Sequence, residues 1–262
     1  MRDVMALALD LVRAGRVDRG MDAGLQARAA RGHRAGPVLR LALLAAVLVA
    51  ALPLAVRLAD PGAGWPALTV ATLVLAGVAG LALRAMIAGY PHDRLGACNA
   101  MTLLRAALVA GLVAALMSPF APWAMVGIAV LALALDGVDG WLARREGLAS
   151  AFGARFDMEV DALLGLVLAL LAMAAGKAGP WVLVLGGLRY AYMFAGVFMP
   201  WLQGDLPPRR TRKTICVIQI ATLIALLAPP VVPPLSLGLA GVASVLLVGS
   251  FAVDILWLWR RR

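Results

Sequence analysis

Eight apolar stretches, each close to the length that crosses a lipid bilayer, run through the sequence from residue 39 to residue 258. A helix needs about 20 apolar residues to span the hydrocarbon core. The predicted spans are residues 39–59, 66–90, 99–118, 122–143, 155–176, 180–201, 214–232 and 235–258. Because 63% of all residues are hydrophobic, more than in typical soluble domains, the sequence predicts an all-α integral membrane protein with about eight transmembrane helices.

The positive charge of the chain follows this pattern of spans. The formal net charge is +10, and most of the arginines, 16 of 22, fall in alternate connections, namely residues 1–38, 91–98, 144–154, 202–213 and 259–262. Membrane proteins keep such basic segments in the cytoplasm. We therefore predict that both termini are cytoplasmic, and we interpret the charge as topological and not as a sign of nucleic-acid binding.

The first 38 residues form a basic segment with two open interpretations. Apolar residues recur there at helical spacing, at Val4, Leu7, Leu11 and Val12, which favours a short interfacial helix. The alternative is a weakly ordered cytoplasmic tail.

Cysteine and histidine residues are too few and too scattered to build a metal site. Cys98 and Cys216 lie near predicted cytoplasmic ends of spans, where a structural disulfide is not expected. His33 and His92 are far apart in polar segments. Any metal ion in this protein should therefore have oxygen ligands.

Four aspartates lie near the cytoplasmic ends of the fourth and fifth predicted spans. Asp136 and Asp139 are three residues apart, and Asp157 and Asp161 are four apart. Each spacing places both side chains on one helix face. Placing an ionised aspartate within a span costs about 2.5–3.5 kcal/mol of insertion free energy, so such residues are rare. The two spans are antiparallel neighbours, which would bring both aspartate pairs to a similar depth in the membrane. The pattern therefore predicts one acidic site that is neutralised by hard cations, Mg²⁺ or Mn²⁺.

Residues between the two aspartate pairs add features of a phosphoryl site. Gly140 and Gly153 permit close approach of a ligand or a helix backbone, and Arg144 carries a planar fork that suits phosphate. The full pattern is Asp136-x-x-Asp139-Gly140-x-x-Ala143-Arg144-x8-Gly153-x3-Asp157-x3-Asp161. It resembles the signature of the CDP-alcohol phosphatidyltransferases at every position.

This resemblance implies a division of the chain into three parts. Residues 1–38 are a basic cytoplasmic segment, residues 39–94 form two extra transmembrane helices, and residues 95–262 form a six-helix core typical of the family. The family's first core helix commonly begins Pro-Asn-x-x-Thr, and here Cys98 replaces the proline before Asn99 and Thr102. This difference from the family pattern affects the start of that helix and not the aspartate site.

The resemblance also implies roles for individual residues. Asp136, Asp139 and Asp157 correspond to ligands of a site for two Mg²⁺ or Mn²⁺ ions. Asp161 corresponds to the general base and also lies near the second ion. The positions implied to contact the CDP moiety are Asn99, Thr102, Gly140, Ala143, Arg144, Ser150 and Gly153.

Four basic residues are candidates for binding the acceptor alcohol, namely Arg155, Arg189, Arg212 and Lys213. For Arg189 the alternatives are snorkelling or a structural ion pair. For Arg212 and Lys213 they are a topological charge cluster or contact with anionic lipid head groups. Glu159 lies off the face shared by Asp157 and Asp161, and we interpret it as structural.

The function implied by the resemblance is transfer of a phosphatidyl group from CDP-diacylglycerol to a small alcohol, such as glycerol phosphate, an inositol compound or a related polyol, with release of CMP. The same signature serves transfer from CDP-choline or CDP-ethanolamine to diacylglycerol. Intramembrane carboxylates also occur in ion transporters, but ion transport does not explain the glycines and Arg144. The resemblance further implies a homodimer, with membrane lipids as partners. Because the arginine bias places residues 144–154 in the cytoplasm and CDP-linked donors are made there, we predict that the active site faces the cytoplasm, in a bacterial inner membrane.

Overall fold

The computed structural model describes residues 36–118, 120–204, 206–207 and 209–262, and these form eight α-helices and no β-strand. The helices are α1 (Gly36–Ala59), α2 (Trp65–Gly89), α3 (Ala97–Ala114), α4 (Pro122–Glu146), α5 (Ala151–Ala174), α6 (Leu183–Phe198), α7 (Arg210–Leu227) and α8 (Leu235–Trp259). Short 3₁₀ turns at Pro180–Val182 and Pro200–Gln203 flank α6. The all-α membrane class is therefore confirmed. The interfacial helix predicted around Val4 to Val12 lies outside the described residues.

Six of the eight helical segments are long and apolar enough to cross a membrane, namely α1, α2, α3, α4, Pro180–Phe198 and α8. The other two, α5 and α7, coincide with the predicted spans 155–176 and 214–232 but carry too many charges to qualify on composition. In α5 three acidic residues fall within five positions, from Asp157 to Asp161. Charge inside a span is costly and is usually retained for function, so this exception directs attention to α5.

Helix α3 lies at the centre of the bundle. In its most apolar window 67% of residues are buried, against 17–28% for the other five candidate spans. It packs against α2, α4 and α5, and α5 in turn packs against α6 and α7. Small side chains on α3, including the fully buried Ala110 and Ala114, allow its neighbours to approach closely. The three helices α3, α4 and α5 therefore surround one common space.

Helices α5 and α6 cross at a pair of glycines. A Cβ atom added to Gly186 would lie 2.5 Å from the Cα atom of Leu166 and 2.7 Å from the carbonyl oxygen of Gly165. Those atoms belong to backbone and have no room to yield. Glycine at position 186 is thus required for this crossing, which fixes α6 against the helix that carries Asp157 and Asp161.

Polar contacts tie the first two helices to the core at both ends. At one end the hydroxyl of Ser118, after α3, donates to a carboxylate oxygen of Asp60, after α1. At the other end the phenol of Tyr90 is oriented toward the carbonyl oxygens of Arg94 (2.8 Å) and Leu95 (3.0 Å). The phenol thereby joins the end of α2 to the turn before α3.

Candidate active site

The structure brings the four predicted aspartates together at the space between α3, α4 and α5. Ligand atoms of Asp136, Asp139 and Asp157 all lie within 4.8 Å of one another. The side chain of Asp139 is 5% exposed, whereas those of Asp136, Asp157 and Asp161 are 31%, 37% and 44% exposed. The cluster is therefore closed on the Asp139 side and open to ligands on the other.

A buried arginine on α3 contacts all four carboxylates. Arg105 is 1% exposed, and its Nη1 lies 3.0 Å from Asp136 Oδ1, 2.9 Å from Asp139 Oδ2 and 2.5 Å from Asp157 Oδ1. Its Nη2 donates to Asp161 Oδ1. One guanidinium thus joins the α4 pair to the α5 pair across the central helix.

Sequence analysis missed Arg105, although a usable signal was present. It is a lone charged residue inside a predicted apolar span, and such residues usually face the bundle interior or a partner. It also lies three positions after Thr102, on the same helix face. The Thr102 hydroxyl lies 3.0 Å from the carbonyl oxygen of Cys98 and 3.2 Å from Asp139 Oδ2, so it supports the same buried carboxylate.

The donor set of this cluster fits divalent cations. It consists of carboxylate oxygens alone, which suits Mg²⁺ and Mn²⁺. Four ionised aspartates with one guanidinium leave three uncompensated negative charges. Like charges at this separation repel unless cations neutralise them. The residues present therefore fit a divalent-cation site.

The start of α5 shapes the neighbouring surface. Ser150 is the N-cap of α5, and its hydroxyl accepts a hydrogen bond from the backbone nitrogen of Gly153 at 3.0 Å. A hydroxyl that accepts one hydrogen bond can still donate its own proton. A Cβ atom on Gly153 would lie only 3.1 Å from Asn99 Oδ1. Gly153 therefore serves the close packing of α5 against α3, beside the predicted nucleotide site.

Asn99 is enclosed in this contact. It is 1% exposed, and its amide nitrogen lies 3.0 Å from the hydroxyl oxygen of Tyr90 and 2.6 Å from the carbonyl oxygen of Leu95. In this arrangement the side chain holds the turn before α3. Its predicted contact with the CDP moiety stays a prediction.

The last turns of α4 carry the other predicted nucleotide-binding positions. Ala143 and Arg144 lie there with Gly140, and an added Cβ on Gly140 would lie 3.5 Å from an Nη atom of Arg144. Arg144 is exposed, and within the described part of the chain its guanidinium has no hydrogen bond or ion pair. It is therefore available to an incoming phosphate.

Glu146 accepts a hydrogen bond from the Ala97 nitrogen at 3.1 Å, which fixes the end of α4 to the start of α3.

Two of the four candidate acceptor-binding residues are engaged by acidic side chains. Arg189 Nη2 lies 2.7 Å from Glu159 Oε1, so an ion pair joins α6 to α5, and the predicted contact of Arg189 with the acceptor stays a prediction. Arg212 binds Asp254 with Nε and Nη2, at 2.9 Å and 3.0 Å. Arg155 and Lys213 are exposed.

Comparison with known proteins identifies the family. Neither the curated proteins nor the solved structures gave a match. The family model described as CDP-alcohol phosphatidyltransferase matches residues 95–256, which is more than half of the chain and contains the whole aspartate cluster. The chain therefore belongs to the CDP-alcohol phosphatidyltransferase family and is a membrane enzyme of that class.

Proposed function

We propose that this enzyme is a metal-dependent transferase that moves a phosphatidyl group from CDP-diacylglycerol to a small alcohol and releases CMP. The observation that carries the proposal is the convergence of four carboxylates from α4 and α5 on one partly open space, with the exposed Arg144 in the last turn of α4. Such a site binds cations and a diphosphate together.

In this proposal the donor is held by the residues at the start of α5 and the end of α4. Arg144 contacts a phosphate of the CDP moiety, and Ser150 offers its hydroxyl proton. Asp136, Asp139 and Asp157 would hold two Mg²⁺ or Mn²⁺ ions, which when bound would supply the positive charge that offsets the diphosphate and the departing CMP.

Asp161 is the proposed general base. It is the most exposed of the four carboxylates, so an acceptor hydroxyl has access to it. The hydroxyl oxygen forms a bond to the phosphorus of the phosphatidyl group, and the bond from that phosphorus to the bridging oxygen breaks. The electron pair leaves with CMP, while the hydroxyl proton passes to Asp161. The total charge and all atoms are thereby accounted for.

The experiment that tests this function is a CMP-release assay on the purified enzyme. CDP-diacylglycerol is supplied with Mg²⁺ or Mn²⁺ and each of glycerol phosphate, inositol phosphate, inositol and glycerol. We expect CMP release that stops on chelation and returns with either ion. Parallel reactions with CDP-choline or CDP-ethanolamine and diacylglycerol test whether the lipid is the acceptor and not part of the donor. Turnover in those reactions alone would overturn the proposed donor.

The acceptor site is proposed to include Arg155, Arg189, Arg212 and Lys213. The exposed pair, Arg155 and Lys213, is free to meet an anionic alcohol, whereas Arg189 and Arg212 must first exchange an acidic partner. We expect Lys213→Gln and Arg155→Gln to raise KM for a phosphorylated acceptor several-fold. KM for the CDP-linked donor should stay constant in both variants.

We propose that the site faces the cytoplasm of a bacterial inner membrane, because Arg144 and Arg145 lie in the last turn of α4 and Arg155 lies near the start of α5, and basic residues at the ends of spans mark the cytoplasmic side. A cysteine placed at Leu148, with Cys98 and Cys216 replaced by serine, tests this in intact cells. A membrane-impermeant thiol reagent should label Pro61→Cys on the opposite side but not Leu148→Cys until the cells are opened. The reverse labelling pattern would reject the topology.

A homodimer is proposed from the family alone and is testable by light scattering in detergent.

A further inference from the structure

One residue outside the predicted signature carries more contacts to the active-site carboxylates than any other described residue. Arg105 lies in the middle of α3 and is almost wholly buried, at 1% exposure. Burying an arginine is costly unless its charge is compensated. Here the compensation comes entirely from the four aspartates that the mechanism assigns to the metal ions and the acceptor hydroxyl.

The guanidinium contacts the same three residues that form the candidate cation site. Nη1 of Arg105 contacts Asp136, Asp139 and Asp157 at 3.0 Å or less, and the same three residues offer the ligand atoms that lie within 4.8 Å of one another. A divalent cation and this guanidinium therefore attract the same oxygens. Two positive groups cannot both occupy them fully.

The remaining atoms of the side chain agree with a role at its forked end. Arg105 Nε is buried and has no hydrogen-bond partner in the described part of the chain, whereas both Nη atoms contact carboxylates. Arg189 Nε is likewise buried without a hydrogen-bond partner in that part of the chain, so the two arginines differ at their Nη atoms, where Arg189 meets one acid, Glu159. Arg105 faces four acids, and three negative charges are left over.

We propose that Arg105 is the internal counter-ion of the aspartate cluster. It holds the α4 and α5 pairs against α3 when no divalent cation is bound, and it competes with that cation for the shared oxygens. It is a positioning residue and not a catalytic one. This inference rests on the proposed binding of metal ions by the aspartates.

Two measurable consequences follow from this role. Without the guanidinium, four carboxylates face one another unneutralised, so the metal-free protein becomes less stable. A divalent cation then binds without a competitor and meets four negative charges instead of three. A ligand that binds the folded state more tightly also stabilises it more, so both consequences appear as a larger stabilisation by metal.

The test compares the full chain with Arg105→Gln, and with Arg189→Gln as a matched control whose ion pair lies outside the cluster. Each protein is purified in Mn²⁺, stripped with a chelator and melted with and without Mn²⁺. The Mn²⁺ affinity is measured from the electron paramagnetic resonance signal of the free ion. We expect the gap between the two melting temperatures to widen by about 5 °C or more in Arg105→Gln and its Kd for Mn²⁺ to fall by about tenfold. Arg189→Gln should match the wild type in both.

The outcomes separate this inference from the proposed function. If the wild type binds no Mn²⁺, the metal site itself is rejected. If the wild type binds Mn²⁺ but Arg105→Gln shows the same gap and an equal or weaker affinity, the counter-ion role is rejected while the metal site stands.

A charge-matched double variant covers the case in which Arg105→Gln does not fold even in Mn²⁺. Arg105→Gln combined with Asp161→Asn removes one positive and one negative charge, so the cluster keeps the net charge of the wild type. We expect this variant to be recovered as folded protein. If it is as unstable as Arg105→Gln alone, charge balance is not what Arg105 supplies, and the proposal is overturned.

Discussion

Two charged clusters in the bundle use the same residue types in opposite proportion. Between α3, α4 and α5, one arginine meets four aspartates. Between α7 and α8, one aspartate, Asp254, is 7% exposed and meets Arg209 at 3.4 Å and Arg212 at 2.9 Å. The first cluster has an excess of negative charge on partly exposed oxygens, whereas the second encloses its single acid. Ionic contacts alone therefore do not mark a metal site, which also requires uncompensated carboxylates that face an opening.

The largest expected effect comes from reducing the negative charge of the first cluster. Replacing Asp136, Asp139 or Asp157 by Asn removes a charged ligand from a site that must offset a diphosphate, so turnover should be abolished and metal dependence weakened. CMP release at several Mn²⁺ concentrations measures both. Full activity in any of the three variants would refute the assignment of that residue as a metal ligand.

The matched change in the second cluster is Asp254→Asn, which should leave the metal dependence of turnover unaltered. It therefore serves as the control for the three ligand variants. If Asp254→Asn also weakened the metal dependence of turnover, the difference in net charge between the two clusters would not explain which of them binds metal.

Only part of this contrast between the two clusters could be predicted from the sequence. The aspartate pairs were predictable because spacings of three and four residues fix a common helix face, and hydropathy fixes the helices themselves. Arg105 and Asp254 find their partners across 31 to 56 and 42 to 45 positions of sequence. Those partnerships depend on how the helices are rotated about their axes in the bundle. No periodicity within one helix specifies that rotation, so the sequence left these contacts open.

The same limit applies to residues that were predicted with a different role. Asn99 was assigned to the nucleotide from its place in a motif, but the motif does not reveal that Tyr90 lies within 3.0 Å of its amide. The phenol belongs to the connection from the two extra helices, which the family pattern does not include. A signature therefore predicts which positions matter more reliably than it predicts what each side chain touches.

A smaller effect is expected at Asp161, the carboxylate with the greatest exposure. Asp161→Asn should leave binding of the CDP-linked donor nearly intact and lower the rate by about 10²–10⁴, the usual range for loss of a positioned general base. Three carboxylates still hold metal ions, whereas the acceptor hydroxyl has lost its proton acceptor. Donor binding by equilibrium dialysis and single-turnover CMP release separate the two steps. If donor binding is lost as completely as in Asp136→Asn, Asp161 is chiefly a metal ligand.

In the second cluster the expected effect is on stability. Asp254→Asn leaves the guanidinium groups of Arg209 and Arg212 facing a neutral amide. Both arginines are about one-third exposed, so water compensates part of the loss, and we expect about 1–2 kcal/mol, below the range for fully buried pairs. Thermal melting in detergent measures this as a lower Tm. A Tm equal to that of the wild type would show that the pair makes no net contribution to stability.

The smallest effect is expected where charges balance one to one, at Glu159 and Arg189. Their side chains are 47% and 30% exposed, and exposed pairs contribute about 0–1 kcal/mol, so Glu159→Gln should barely change Tm. It does free Arg189, which makes the variant a test of acceptor binding. If Arg189 binds an anionic acceptor, its release should lower KM for a phosphorylated alcohol by a few-fold and leave KM for an uncharged alcohol constant. If Glu159→Gln changes the KM of neither alcohol, Arg189 only fixes α6 to α5. A guanidinium that binds the acceptor must respond when its competing carboxylate is removed.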